Sequence, residues 1–240
     1  MLLVTQIGRL SAQDTLVPPP VEEIAAAYVA SIGGEAAWDS IASLRLTGTS
    51  AMQGMEFPYV ITSAAGGKQR FEVDIQGNKM VQGYDGETAW MYFPMQGITH
   101  PRPVGEDESS DLRFTPFPDV FINAAARGYT LAPAAGRQVR GVPTYGVRVT
   151  NADGYDQTFY FDAQNMRPVL QTSIARSGPM AGFRVDVYLT DYEDTAGGLV
   201  LPMSREQRVN GQPAMRLLVD KVAVNPTLEE GYFSLSSIEE

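Results

Sequence analysis

From Ser43 onward the chain is written in short runs of alternating polarity, most of them ended by a glycine-bearing turn signal. In "RFEVDIQG", Phe71, Val73 and Ile75 fall on one side and Arg70, Glu72 and Asp74 on the other, because successive strand side chains point to opposite faces. The runs "SLRLTGTSAM" and "FPYVITSA" precede it. Gly66-Gly67, Gln76-Gly77-Asn78, Asp85-Gly86, Asp153-Gly154, Ser177-Gly178, Gly197-Gly198 and Asn210-Gly211 separate one run from the next. Connections this short join antiparallel neighbours. A meander of about 11 strands must close, curl or stack to hide its edges. The predicted class is therefore mainly β (α+β), built on a single curved antiparallel sheet.

Two segments break the period of two. After the stiff linker "LVPPP", Val21, Ile24, Ala25, Tyr28, Val29 and Ile32 recur at helical spacing. Glu22 and Glu23 suit the positive end of that helix, and Gly33-Gly34 ends it. A short second turn, "EAAWDSIA", carries Trp38 and Ile41. Between Pro94 and Gly128 the pattern lapses: "HPRPVGEDESSD" reads as a solvated loop. "FPDVFINAAARG" reads as a second helix with Val120, Phe121 and Ala124 inward. A curled sheet of about this many strands has more interior than its own side chains fill, so helices, a ligand or both are expected to occupy it.

The strand in "YDGETAWMYFP" is apolar on both faces: Trp90 and Tyr92 point one way, Met91 and Phe93 the other. An ordinary half-exposed strand is polar on one side. We expect neither face to be left in water, one of them being covered near its end by the Pro94–Gly128 insertion.

The charge is −10, and no basic stripe is present for nucleic acid. The absence of cysteine removes disulfides, thiolate metal sites, cysteine nucleophiles and an N-terminal lipid-anchored Cys together. His100 is the sole histidine and has no partner for a triad or a metal site. No Gly-x-Ser-x-Gly, phosphate loop or dinucleotide fingerprint occurs. "NADGYD" has calcium-loop residue types in the wrong order and reads as a hairpin turn. "DYED" reads as a solvated strand end. The chain is therefore expected to have no catalytic residues, no metal and no cofactor. What stands out is soft apolar material: 10 Met, 11 Tyr and 10 Phe, residue types that line sites for flexible ligands. The tail "LSAQDT" has the look of a signal-peptide end, with cleavage near Ala12 or Gln13.

Five pieces resemble one family: "YVASIGGEAAWDSIASLRLTGT", "GNKMVQGYDGETAWMYFPMQG", "YFDAQNMRPVLQ", "VYLTDYEDTAGGLVLPMSREQRVNGQ" and "VNPTLEEGYFSL". In that order they are similar to the outer-membrane lipoprotein-sorting proteins, the LolA-like periplasmic carriers, in a divergent Bacteroidetes-type form. The resemblance implies an incomplete β-barrel with helices as a lid over a cavity for acyl chains. The lid arginine of the best-studied carriers has no assignable position here, so no functional residue is carried over.

On this reading residues 1–20 are an export-signal remnant and linker, and residues 21–240 a single lipid-binding domain. The cavity wall comprises Phe57, Tyr59, Ile61, Phe71, Val73, Ile75, Trp90, Tyr92, Val185 and Val187. The N-terminal helix, with Val21, Ile24, Tyr28 and Ile32, is either a moving lid or a static plug. The function implied is a periplasmic, monomeric carrier of lipoprotein acyl chains or other lipids, working between an inner-membrane donor and an outer-membrane acceptor. A lipid-occupancy sensor of envelope stress is the alternative, and an enzyme using the cavity ranks last.

Overall fold

The computed structural model describes residues 17–105 and 117–238. The expected signal-peptide end near Ala12 and Gln13 lies outside the described residues.

Helix α1 (Val21–Ser31) starts where the Pro20 carbonyl accepts the N–H groups of Glu23 and Ile24. It stops at Gly33 and Gly34, both at positive φ, which costs glycine little. Helix α2 (Gly34–Asp39) follows directly and swings Trp38 inward, where its indole N–H donates to the Ile32 carbonyl.

The strands are β1 (Ser43–Met52), β2 (Met55–Ala64), β3 (Lys68–Ile75), β4 (Asn78–Tyr84), β5 (Ala89–Phe93), β6 (Ile98–Pro103) and β7 (Thr130–Ala134). After them come β8 (Gln138–Val139), β9 (Val142–Thr150), β10 (Asp156–Asp162), β11 (Pro168–Ile174), β12 (Arg184–Asp194), β13 (Val200–Val209) and β14 (Gln212–Val224). Fourteen strands among the described residues exceed the expected number. The proline-rich β6 and the two-residue β8 carry no alternating pattern from which to read them.

One sheet runs β6-β5-β4-β3-β2-β1-β14-β13-β12-β11-β10-β9-β7, with β8 paired on β9. It is two meanders joined by the β1–β14 pair, which carries a bulge between Thr47 and Gly48. The sheet is curled. Leu44 and Leu46 of β1 share one core cluster with Phe159 and Phe161 of β10, although four strands separate them in the order. Laid flat at about 4.8 Å per step, those strands would lie roughly 24 Å apart.

The sheet does not close. Its edges, β6 and β7, are consecutive in sequence, and the chain between them crosses the gap. There the sequence reading is corrected: residues 117–128 form a series of turns and no helix. Asn123 sits at φ 50° and breaks the helical run. The Arg127 guanidinium serves the carbonyls of Asp119 and Ile122 instead. Val120, Phe121 and Ala124 are nonetheless buried, as is Ile122. Apolar spacing selected what goes inside without selecting the helix.

Candidate functional site

A cavity of about 280 Å³ lies between the concave face of the sheet and the elements that plug it. The plug contributes Tyr28 and Ile32 from the N-terminal helical segment, Trp38 from α2, and Phe117, Asp119 and Val120 from the gap-crossing segment. The sheet contributes Leu44, Leu46, Ile61, Val187, Leu189 and Leu201, among others. Edge-to-face aromatic contacts join the two sides: Tyr28 stands 5.3 Å from Phe121 and 5.4 Å from Phe161. A hydrogen bond also ties the two plug segments, as the Tyr28 hydroxyl donates to Asp119 Oδ2 at 2.8 Å.

The expected wall residues fall into three groups. Ile61 and Val187 line this cavity. Phe57, Tyr59 and Val73 form a second buried cluster with Leu217, and Phe71 and Ile75 pack against it half-buried. The register puts that cluster on the same sheet face: Ile61 pairs with both Leu46 and Phe71, and Tyr59 with Val73. Val185 is half-buried on the Val187 face, towards the β13–β14 hairpin end. In α1, Val21, Ile24 and Tyr28 are buried, as is Ile32 just beyond its end.

Trp90 and Tyr92 belong elsewhere. Trp90 pairs with Gly83, Gly83 with Arg70, and Arg70 with Thr62. Paired residues share a face, and this one is opposite to the cavity. Arg70 and Glu72, expected in solvent, lie there under the C-terminal segment. The Trp90 indole N–H donates to the Phe233 carbonyl at 2.8 Å. The Arg70 guanidinium sits over the Tyr232 ring at 4.7 Å, donates to the Tyr232 carbonyl and Ser237 Oγ, and pairs with Glu72 at 3.0 Å. The β5 strand is therefore apolar on the Trp90 side because residues 232–237 cover it.

Polar groups also reach the cavity, and sequence reasoning missed them. Asp119 lines it with both carboxylate oxygens engaged, Oδ1 accepting the Phe121 N–H. Burial pushes its carboxyl above the ordinary 3.8, and the two donors pull it back in part. Burial likewise raises the Tyr28 and Tyr192 hydroxyls. Tyr192 donates to the Pro168 carbonyl at 2.7 Å. Arg205 projects from β13, between Leu189 and Leu217 of the neighbouring strands. A signal for it was present: Arg205 continues the period-two stripe of Leu201 and Met203.

Among the described residues no group of three or more His, Cys, Asp or Glu could hold a metal ion. His100 is exposed on β6. No helix of the described residues is long and apolar enough to cross a membrane.

No family model matches the chain, and comparison with curated proteins finds no match. Solved structures do match. A putative outer membrane lipoprotein-sorting protein domain from Vibrio parahaemolyticus is 14% identical, with a TM-score of 0.60 over 91% of this chain and 97% of that one. A DUF1329 family protein from Desulfovibrio piger is 12% identical, with a TM-score of 0.60 over 92% of this chain and 100% of that one. A LolA superfamily protein from Nitrosomonas europaea is 10% identical, with a TM-score of 0.58 over 90% of this chain and 98% of that one. Identities this low speak for architecture alone, and the architecture of this chain is that of the LolA superfamily and the outer-membrane lipoprotein-sorting domains.

Proposed function

We propose that this chain is a lipid carrier that takes acyl chains into the cavity between sheet and plug, as a single lipid-binding domain exported to the periplasm. The observation that carries the reading is the cavity itself. Its wall sets Gln69, Gln157, Gln171, Asp119 and Arg205 among aliphatic and aromatic side chains, its roof is a plug of separate segments, and the gap between β6 and β7 leaves the sheet unclosed. A concavity that offers both apolar wall and polar groups suits an amphiphile, whose chain and headgroup need one each. The fold shared with lipoprotein-sorting domains supports the same reading. Transfer towards an outer-membrane acceptor is the role such a carrier would serve.

Native mass spectrometry of gently purified protein tests this, together with titration of a fluorescent fatty acid. Co-purified lipid, or saturable binding that Ile61→Asp abolishes while the fold is retained, is the expected result. A chain that carries no lipid and binds none would overturn it.

A further inference from the structure

Among the described residues, the cavity holds a cation that no carboxylate pairs directly, although Asp119 feels its charge. Arg205 lines it from β13, yet makes no hydrogen bond or ion pair among the described residues, and its buried Nε has no partner in the protein. On the same sheet face the Tyr59 hydroxyl and the Ser50 hydroxyl are also buried and unpartnered. Ser50 is reached from Arg205 across β14, through Leu217. Gln69 Oε1, at the cavity wall on β3, is a further buried acceptor with no partner. Burying one unpaired polar group is costly, and a guanidinium costs more. A chain of net charge −10 has ample acid to pair this arginine, but among the described residues the carboxylate lining the cavity, Asp119, hydrogen-bonds Tyr28 and the Phe121 N–H and meets Arg205 through its charge alone.

We infer that Arg205 is the headgroup site for a single-chain anionic lipid, which enters this cavity head-inward. The planar guanidinium fork matches a carboxylate or a phosphate. The Tyr59 hydroxyl, which feels the arginine's charge, supplies a neutral donor on the same sheet face. The apolar wall of Leu44, Leu46, Ile61 and Leu189 takes the chain. A cavity of 280 Å³ is at the small end for organic ligands and suits one chain better than several. Electrostatics agree: burial drives the Tyr59 hydroxyl up to about 12, and the positive charge of Arg205 opposes that rise. An acceptor in direct contact with the guanidinium is the missing member of the cluster.

The inference rests on the lipid-binding reading, and the test separates the two. Binding of dodecanoate, dodecyl phosphate and uncharged dodecanol is measured calorimetrically on the full chain, on Arg205→Met and on Arg205→Lys. At least one anionic probe should outbind dodecanol by about 10- to 100-fold, as expected of charge-assisted hydrogen bonds; the tighter of the two names the headgroup. Arg205→Met should bring that ratio near one, and Arg205→Lys should recover part of it. Dodecanol binding as tight as the anions to the unaltered protein would overturn the headgroup site and leave the lipid reading standing. Binding of none of the three would overturn both.

Discussion

Tyr28→Phe removes one oxygen and leaves the ring. The aromatic contacts with Phe121 and Phe161 persist, so what is lost is the 2.8 Å hydrogen bond to Asp119 that ties α1 to the gap-crossing segment. A bond to a charged acceptor is worth about 1.5–3 kcal/mol, and one to a neutral acceptor about half that. Which figure applies depends on pH. Burial raises the Asp119 carboxyl in the folded chain and the Tyr28 hydroxyl lowers it, so deleting the hydroxyl raises it further. An acid whose folded value lies above its unfolded value stabilises below the unfolded value and loses that stabilisation as pH rises through the folded one. The variant must therefore lose more than the parent as pH climbs above 3.8, the ordinary value. Thermal melts of both proteins at about pH 4 and about pH 7 read the difference. We expect a small gap in Tm at the acid end. At neutral pH it should widen to on the order of 5 °C, a few kcal/mol in a chain of this size. A gap equal at both pH values would show that Asp119 keeps one protonation state across the range. A gap of zero would show that the bond contributes nothing. Asp119→Asn removes the titrating group and should flatten the pH profile.

Four other substitutions probe the frame around the cavity. Gly83→Ala places a Cβ inside the buried Trp90 ring; it should cost about 1–3 kcal/mol, read as a lowered urea midpoint with altered tryptophan emission. Gly33→Ala needs φ near 111° and drives a Cβ into the Gly198 carbonyl, so a loss of at least about 1–3 kcal/mol is expected by the same denaturation. Val73→Asp buries an unpaired charge among Phe57, Tyr59 and Leu217 and should cost several kcal/mol or prevent folding. Glu72→Ala, on the opposite face, should also be felt, by about 1–3 kcal/mol, because Arg70 and the Tyr232 hydroxyl both lose a partner; a neutral Glu72→Ala would show that the C-terminal cover is loosely held.

The sequence was legible where one physical demand set each residue. Strand alternation and glycine turns placed β1 to β5 and the long hairpins of the second half, since each face of a strand had a single job. Helical spacing and Pro20 placed α1. Legibility failed where two demands met. In "FPDVFINAAARG" burial of Val120 and Phe121 imitated a helix, while Asn123 and Arg127 built turns. On β3 the charges of Arg70 and Glu72 point to water, yet their partners come from residues more than 150 positions away. Trp90 misleads in the same way: its face is fixed by pairing with Gly83, which no local pattern reports. Arg205 was in view, in step with Leu201 and Met203, but only the curl of the sheet turns that stripe into a cavity wall.

Release is the constraint that unites these features. Burying a methylene is worth about 0.8 kcal/mol, so a ligand in an otherwise empty concavity would scarcely leave. Here the concavity is not empty. Tyr28, Ile32, Trp38 and Val120 already cover part of the wall a chain would use, so entry exchanges plug contacts for ligand contacts, and only the difference appears as affinity. The other side of the sheet behaves differently. Arg70, Trp90 and Tyr232 staple the C-terminal segment over β2 to β5 with charge-assisted and aromatic contacts, which exchange with no ligand. The plug side, by contrast, is held mainly by apolar contact and by a few hydrogen bonds, of which Tyr28 to Asp119 is the shortest between its segments among the described residues. A rigid back and a lightly latched front give a sheet that keeps its curl while its roof gives way. If that division holds, Tyr28→Phe should speed dissociation of a fluorescent fatty acid by about 10-fold at neutral pH, the kinetic equivalent of about 1.4 kcal/mol, whereas Glu72→Ala lowers stability and leaves the dissociation rate unchanged. Equal acceleration by both would mean that the curl itself opens, and that no part of the plug acts as a gate.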